Sequence, residues 1–206
     1  MIVFLDTSQD ISGCEQELAI PCGQLLTPLT RFNLQDAKRP WAIDNGAYSQ
    51  FEEKAFLSLL ERERHHAKDC LFVTLPDVVG SAIRTAECFR RWRAKNANAL
   101  EGYKLALVAQ DGLESMEMTP TWDEFSAIFI GGTDIFKQSR STSIIKAAQI
   151  LGKWVHVGRV NSPRLFEHFE EMGVDSIDGS GIAQYSHMRD AIAKRDNQKK
   201  LFGELV

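Results

Sequence analysis

The sequence predicts an α/β protein, and the architecture that we expect is a compact (β/α)8 TIM-like barrel. Short apolar runs alternate along the chain with longer amphipathic stretches. The runs are almost continuously apolar, which is typical of parallel strands covered on both faces. The chain of 206 residues is close to the lower limit of about 200 residues for such a barrel. We therefore expect one domain over residues 1–206, with a doubly wound open sheet as the alternative.

Seven candidate strands are rich in Val, Ile, Leu and Phe, and an eighth is weaker. The seven are IVFL (2–5), WAI (41–43), LFVTL (71–75), KLALVA (104–109), AIFI (127–130), WVHV (154–157) and VDSI (174–177), and the weaker one is QLLT (24–27). Neither a GxGxxG nor a Walker A motif follows any of these runs, which weakens the open-sheet nucleotide-binding alternative.

Amphipathic stretches with helical spacing lie between the candidate strands. The predicted helices are 53–68, 80–95, 142–151, 162–172 and 185–202. In the second of these, the spacing places four residues toward the core, Ile83, Ala86, Cys88 and Phe89. The fourth begins with Ser162-Pro163, an N-cap residue followed by proline at the first helical position.

Composition and charge exclude several classes of protein. Hydrophobic residues make up 44% and charged residues 25% of the chain, which indicates a globular protein rather than a disordered or fibrous one. A formal net charge of −4 disfavours general non-specific nucleic-acid binding but leaves a local basic patch open. The four cysteines form no Cys-x-x-Cys pair, and no run approaches the roughly 18 apolar residues of a membrane span. We therefore expect a cytoplasmic protein with reduced thiols and no membrane partner.

Residues able to react or to bind a polar ligand stand at the carboxyl ends of six candidate strands. They are Asp44, Asp77, Gln110, Gly131 with Gly132, His156 with Gly158, and Asp178. A single Asp-Gly or Asp-Asn after a strand is usually a turn or N-cap residue. Because the carboxyl ends of barrel strands converge on one rim, six such coincidences predict one shared pocket.

Two or three carboxylates around one pocket suit glycosyl transfer. An ionised carboxylate attacks the anomeric carbon, and a second carboxyl manages the proton of the leaving group. Gln110 offers a donor and an acceptor to the edge of a planar heterocycle, and glycines let backbone amides approach the same edge. Tyr48 and Phe136, near the predicted rim, are candidates for stacking on a base.

Six motifs in this order make the chain resemble the tRNA-guanine transglycosylase superfamily, and more closely its DpdA deazaguanine DNA transglycosylases of phages and genomic islands. The motifs are IDNGAYSQF (43–51), LPDVVG (75–80), LVAQDGL (107–113), FIGGTD (129–134), WVHVGRVNS (154–162) and GVDSIDGSG (173–181). The resemblance implies a (β/α)8 barrel that exchanges a guanine of a nucleic acid for a 7-deazaguanine such as preQ0. It implies a covalent route that requires no metal or organic cofactor.

The resemblance also assigns roles to individual residues. Asp178 matches the nucleophile that attacks C1′ of the target guanosine, and Asp44 matches the general acid/base for the departing and entering bases. The matching base-binding positions are Asp77, Gln110, Gly131, Gly132, His156 and Gly158. Nucleic acid must also be bound through its phosphates, and the cations predicted to do so follow strand ends: Arg159, Lys137 and Arg140.

The chain departs from the tRNA-acting enzymes in ways that bear on the substrate. Those enzymes carry a Cys-x-Cys-x-x-Cys…His zinc site after the nucleophile, whereas no cysteine follows Asp178. We therefore expect a barrel that lacks the zinc subdomain, with DNA favoured over tRNA as the substrate. Asn45 and Gly179 stand where the tRNA enzymes usually have Ser and Cys. The alternatives are the same exchange on tRNA, a non-catalytic nucleic-acid-binding subunit, and a hydrolase that releases guanine.

Overall fold

Eight parallel strands close into a barrel. The computed structural model describes residues 1–6, 10–29, 32–116 and 120–203, with the backbone alone from residue 196. Neighbouring strands pair in chain order, and the last pairs with the first. The strands are β1 (Ile2–Leu5), β2 (Cys22–Leu26), β3 (Trp41–Ile43), β4 (Val73–Thr74), β5 (Leu105–Ala109), β6 (Ala127–Ile130), β7 (Trp154–Val157) and β8 (Ser176–Asp178). The predicted TIM-like barrel is confirmed, and the open-sheet alternative is wrong.

Helices surround the barrel. They are α1 (Ile11–Leu18), α2 (Glu53–Glu63), α3 (Ala82–Lys95), α4 (Thr142–Ile150), α5 (Pro163–Glu171), α6 (Ser180–Gln184) and α7 (Ser186–Gly203). A 3-10 helix over Arg64–Asp69 continues α2, and a π-helix over Phe136–Arg140 precedes α4. Two 3-10 turns, Leu113–Ser115 and Trp122–Glu124, lie between β5 and β6. No helix in the described ranges is long and apolar enough to cross a membrane.

Strand β8 starts two residues later than the sequence predicts and ends on Asp178. Asp175 lies just before the strand, where its N–H donates to the carbonyl of Val155 and its carboxylate accepts from the N–H of Val155 at 2.7 Å. These bonds set the register of β8 against β7. Asp178 is therefore part of the strand, and the alternation of strand side chains directs its carboxylate into the barrel.

Helix α3 corrects one predicted core residue. Ala86 and Phe89 are buried as predicted and Cys88 is half-buried, but Ile83 is 61% exposed. The buried stripe runs from Ala82 through Ala86 and Phe89 to Trp92, with spacings of three or four residues. Ile83 is one position off this stripe, so the helix turns its side chain toward solvent.

Apolar side chains fill the interior of the barrel as well as the layer between the strands and the helices. The interior cluster contains Phe4, Leu25, Ala42, Phe72, Ala106 and Ala127. Phe4 and Phe72 meet edge to face with ring centroids 6.0 Å apart. Full burial of such a side chain is worth roughly 1.5–3 kcal/mol. These rings make a solid floor under the carboxyl ends of the strands.

Candidate active site

The carboxyl ends of the strands surround an open cavity of about 890 Å³. Most of the predicted site residues line it. Those that do are Asp44, Asp77, Gln110, Gly131, Gly132, Lys137, Arg159 and Asp178. The closed barrel thus brings together residues from the ends of six strands, as the pattern of strand ends predicts.

Asp178 lies at the bottom of the cavity, and only 7% of the residue is exposed. Its Oδ2 is 2.9 Å from Nε2 of His156, and its Oδ1 accepts the backbone N–H of Arg159 at 3.1 Å. Each carboxylate oxygen therefore has a partner on β7 or on the loop that follows β7. These two contacts fix the orientation of the carboxylate in the cavity.

Asp44 directly follows β3 and has a different environment. One carboxylate oxygen accepts the hydroxyl of Thr74 at 2.9 Å, and the N–H of Gly46 also donates to the group. Burial, and after it the negative charge of Asp178, raise the pKa of Asp44 to about 7. A carboxyl with a pKa near 7 can release and take up a proton at neutral pH, which is what a general acid/base needs.

A carboxylate held by two amides lines the cavity beside β4 and β5. Oδ2 of Asp77 accepts Nε2 of Gln110 at 2.6 Å, and its Oδ1 accepts Nδ2 of Asn45 at 3.0 Å. The N–H of Gly80 donates to Oε1 of Gln110 at 2.9 Å, which fixes the direction of that amide. Burial raises the pKa of Asp77. The remaining acceptor capacity of this carboxylate suits the donors on a purine edge.

Asn45 links the loops that carry the two acidic residues, a role that was not predicted from the sequence. It follows Asp44 in the chain, and its Nδ2 donates both to Asp77 and to the carbonyl of Leu75 at 2.7 Å. Its Oδ1 accepts the N–H of Ala47 at 2.6 Å. The side chain therefore ties the loop after β3 to the loop after β4. The signal in the sequence was its position just after a strand, where a buried polar side chain has to find hydrogen-bond partners.

His156 lies behind Asp178 and outside the cavity lining. The imidazole is 1% exposed and packs among the rings of Phe4, Phe72 and Phe129, with centroids 5.8, 5.0 and 4.6 Å away. The structure therefore places this predicted base-binding residue against the candidate nucleophile, below the surface that a base would contact.

Two glycines that the resemblance assigns to the base are required by the side chains packed against them. A Cβ at Gly158 would lie 2.6 Å from the ring of Phe129 and 3.3 Å from Oδ2 of Asp178. Gly132 has a φ of +72°, and a Cβ there would lie 2.6 Å from the ring of Phe136. A side chain at either position would clash with the aromatic ring packed against it.

Two of the three predicted phosphate contacts already form ion pairs with acidic side chains. Lys137 is 1% exposed, and its ammonium lies 3.3 Å from the carbonyl oxygen of Gly158 and 3.1 Å from a carboxylate oxygen of Asp134. Arg140 lies outside the cavity lining and pairs with Glu114 at 3.3 Å. The structure does not bring these two side chains and Arg159 together as one basic surface.

Arg159 and Tyr48 meet across the mouth of the cavity. They follow β7 and β3, which are four strands apart in a ring of eight. The guanidinium carbon of Arg159 is 4.0 Å from the centroid of the Tyr48 ring, and its Nη2 donates to the carbonyl of Gly132 at 2.6 Å. Arg159 has a φ of +57°, an uncommon conformation for a residue with a side chain. We call this contact the Arg159–Tyr48 bridge.

The second aromatic residue predicted to stack on a base does not reach the cavity. Phe136 is completely buried, whereas Tyr48 is 64% exposed and lines the mouth. The prediction for Phe136 is wrong because the residue begins the π-helix and its ring packs below Gly132.

The charge of the cavity is negative among the described residues that line it. Its aspartates are Asp6, Asp44, Asp77, Asp134 and Asp178, and its cations are Lys137, Arg159 and Arg164. Lys137 pairs with Asp134, so few cationic groups remain available at the mouth. Within the described ranges, no group of three or more His, Cys, Asp and Glu side chains is arranged to hold a metal ion.

Comparison with known proteins shows the fold alone. No known protein-family profile and no curated protein sequence matches the chain. It is similar to a chain of the Amycolatopsis orientalis BexX/CysO complex, with 13% identity and a TM-score of 0.56 over 97% of this chain and 89% of that one. It is also similar to a chain of a cube-shaped porous cage designed by fusing symmetric oligomeric domains, with 13% identity and a TM-score of 0.52 over 99% and 75%. In both cases the likeness is one of fold, and the sequence identity is too low to carry information on substrates.

Proposed function

We propose that this protein is a base-exchange glycosyltransferase that replaces guanine in DNA with a 7-deazaguanine such as preQ0. The observation that carries the proposal is the pair of carboxyl groups in one cavity. Asp178 is fixed by two contacts, and Asp44 has a pKa raised to about 7. Two carboxyl groups in unlike environments are the arrangement that divides nucleophile from acid/base.

The first half of the reaction forms a bond between a carboxylate oxygen of Asp178 and C1′ of the target nucleoside. The C1′–N9 bond breaks, its electron pair leaves with guanine, and protonated Asp44 supplies the proton that neutralises the departing base. In the second half, N9 of the 7-deazaguanine attacks C1′, the ester to Asp178 breaks, and Asp44 takes up the proton from N9. Two inversions at C1′ restore the original configuration.

The amide-held carboxylate of Asp77 supports exchange between these two bases. Guanine and a 7-deazaguanine share the same pyrimidine edge, with its ring N–H and exocyclic amino group as donors. Asp77 lines the cavity together with its amide partners Gln110 and Asn45, which hold its carboxylate in place. One site can therefore bind both the leaving and the entering base.

The test mixes the protein with guanine-containing DNA and labelled preQ0 and measures the label that enters the DNA. We expect label in DNA with the wild-type protein and none with Asp178→Asn. Asp69→Asn is the matched control, because Asp69 is exposed and precedes β4 at the opposite end of the barrel. Incorporation by Asp178→Asn at the wild-type rate would refute the covalent route. A duplex substrate must first expose its base, at a cost of about a few kcal/mol, so single-stranded DNA should react faster.

The charge of the cavity favours a second candidate, which is the same glycosyl chemistry on a free nucleoside. Few cations of the lining are available for the phosphates of a polymer, and Arg140 lies outside it. Parallel reactions with tRNA, guanosine and deoxyguanosine separate these substrates. Release of guanine without uptake of label, in any of them, would instead identify a hydrolase in which water replaces the entering base.

A further inference from the structure

Four polar side chains form a hydrogen-bonded chain inside the barrel beneath the cavity. Trp154 and His156 alternate on β7, and Ser176 and Asp178 alternate on β8, so that all four point inward. The strand register places His156 opposite Ser176. The interior of a TIM barrel is usually packed with branched apolar residues. A chain of hydrogen-bonded polar side chains there therefore requires an explanation.

The distances along this Trp154–Asp178 chain are short and continuous. Nε1 of Trp154 lies 2.8 Å from Oγ of Ser176, which lies 2.9 Å from Nδ1 of His156. Nε2 of His156 then lies 2.9 Å from Oδ2 of Asp178. Ser176 has no exposed surface and His156 only 1%. Each of these polar atoms therefore depends on its neighbour in the chain for a hydrogen bond.

The chemistry of the first member sets the direction of every later bond. The indole N–H of Trp154 can only donate, so Oγ of Ser176 accepts from it. Among the described residues, the hydroxyl hydrogen of Ser176 has no acceptor other than Nδ1 of His156, so Nδ1 accepts it and carries no proton. The imidazole proton accordingly stands on Nε2 and points at Asp178.

We propose that His156 is a positioning residue for Asp178, fixed as the neutral Nε2–H tautomer by Trp154 and Ser176. Its N–H holds Oδ2 of Asp178 while the N–H of Arg159 holds Oδ1. The remaining lone pairs of the carboxylate are then aimed into the cavity. Because the imidazole is 1% exposed and lies outside the cavity lining, His156 acts on the carboxylate of Asp178 and does not contact the substrate.

The tautomer can be measured on the resting protein. Two-bond 15N–1H NMR spectra separate the Nε2–H tautomer, the Nδ1–H tautomer and the imidazolium. The signal of His156, among the five histidines of the chain, is the one that His156→Gln removes. We expect the Nε2–H pattern in the wild-type protein and a loss of that single pattern in Ser176→Ala. An Nδ1–H or imidazolium pattern in the wild-type protein would overturn the proposal.

The positioning role rests on the proposed function and is tested by two substitutions of similar size. His156→Gln keeps an N–H donor, whereas His156→Phe fills the same aromatic space without one. We expect His156→Phe to lower kcat for base exchange by about 10–100-fold with KM little changed, which is the worth of one hydrogen bond to a charged group. His156→Gln should recover most of that loss.

The outcomes of these experiments remain distinguishable. Equal kcat values for His156→Phe and the wild-type protein would overturn the positioning role. If the wild-type protein exchanges no base on any substrate, the proposed function fails, while the NMR measurement still decides the tautomer. If His156→Phe does not fold, as judged by circular dichroism, Ser176→Ala takes its place in the kinetic test, with a smaller loss of kcat expected and an unchanged kcat contradicting the proposal.

Discussion

Asp44 and Asp178 line the same cavity at one end of the barrel, but their surroundings differ. Asp178 has an N–H partner on each oxygen, from His156 and Arg159. Asp44 accepts from the neutral hydroxyl of Thr74 and from the N–H of Gly46, and burial beside the charge of Asp178 raises its pKa to about 7. The comparison illustrates that the groups around a carboxyl, rather than the carboxyl itself, set its affinity for a proton.

The largest expected effect that separates the two regions is on the proton transfer assigned to Asp44. Asp44→Asn keeps the size and the bond from Thr74 but cannot transfer a proton, so base exchange should slow by about 10²–10⁴-fold. Unlike Asp178→Asn, this variant should still form the trapped covalent adduct, only slowly. Quenched reactions with labelled DNA, separated on denaturing gels, measure both quantities. Adduct formation at the wild-type rate would remove Asp44 from the first half of the reaction.

A smaller effect is expected from a substitution of Asp77, the residue that we propose binds the base. Asp77→Asn replaces an acceptor with a group that also donates, and it sets its amide against those of Gln110 and Asn45. The loss of one charged hydrogen bond should lower kcat/KM for preQ0 by about 10–100-fold. Steady-state kinetics with varied preQ0 test this, with Asp69→Asn as the control. An unchanged kcat/KM would show that the base binds elsewhere in the cavity.

The raised pKa of Asp44 also predicts a modest effect on stability. Between the unfolded value of about 3.9 and the folded value of about 7, the native state keeps a proton that the unfolded chain releases. The free energy of unfolding contributed by this group therefore falls as the pH rises through that window. Asp44→Asn should be more stable than the wild-type protein at pH 8, by about 1–3 kcal/mol, and equally stable near pH 4.

Thermal unfolding at the two pH values measures that difference, and Asp111→Asn provides the control with the opposite sign. Burial opposes the shift there, but hydrogen bonds from Thr133 lower the pKa of Asp111. Its contribution is present at neutral pH and lost in acid, so Asp111→Asn should be less stable than the wild-type protein at pH 8. The same pH dependence in both variants would contradict the assigned environments.

The smallest expected effect is electrostatic coupling between the two regions. Asp178→Asn removes the negative charge that is the second cause of the raised pKa of Asp44, so that pKa should fall below about 7. Burial remains and keeps it above the ordinary value of an aspartate. An NMR titration of the side-chain carboxyl carbon of Asp44 follows the change. An unchanged midpoint would show that the two charges do not interact.

The sequence could predict the barrel and most of its rim because both depend on local patterns. Apolar runs mark the strands, and Asp44, Asp77 and Gln110 follow their strands within one to three residues. Helix α1 escaped prediction, since its buried residues Ile11, Cys14 and Leu18 make too sparse a stripe. Pattern alone also could not place Ile83, because a rotation by one residue decides whether it faces the core.

The finer site could not be predicted, because its contacts join residues far apart in the chain. Nothing near His156 in sequence shows that its two ring nitrogens meet Ser176 and Asp178. Lys137 follows a strand as a phosphate contact would, but the π-helix turns its ammonium onto backbone carbonyls after β7. Only the closed barrel sets these partners side by side.

The Arg159–Tyr48 bridge couples access to the cavity with the position of the Asp178 carboxylate. A flat ring that stacks on the covered face of Tyr48 must displace the guanidinium, because both cannot occupy that face. The backbone N–H of Arg159 also holds Oδ1 of Asp178. A ligand that shifts the whole residue therefore loosens the carboxylate. A ligand that moves only the guanidinium leaves the carboxylate in place. Arg159 thus connects the mouth of the cavity with the carboxylate of Asp178.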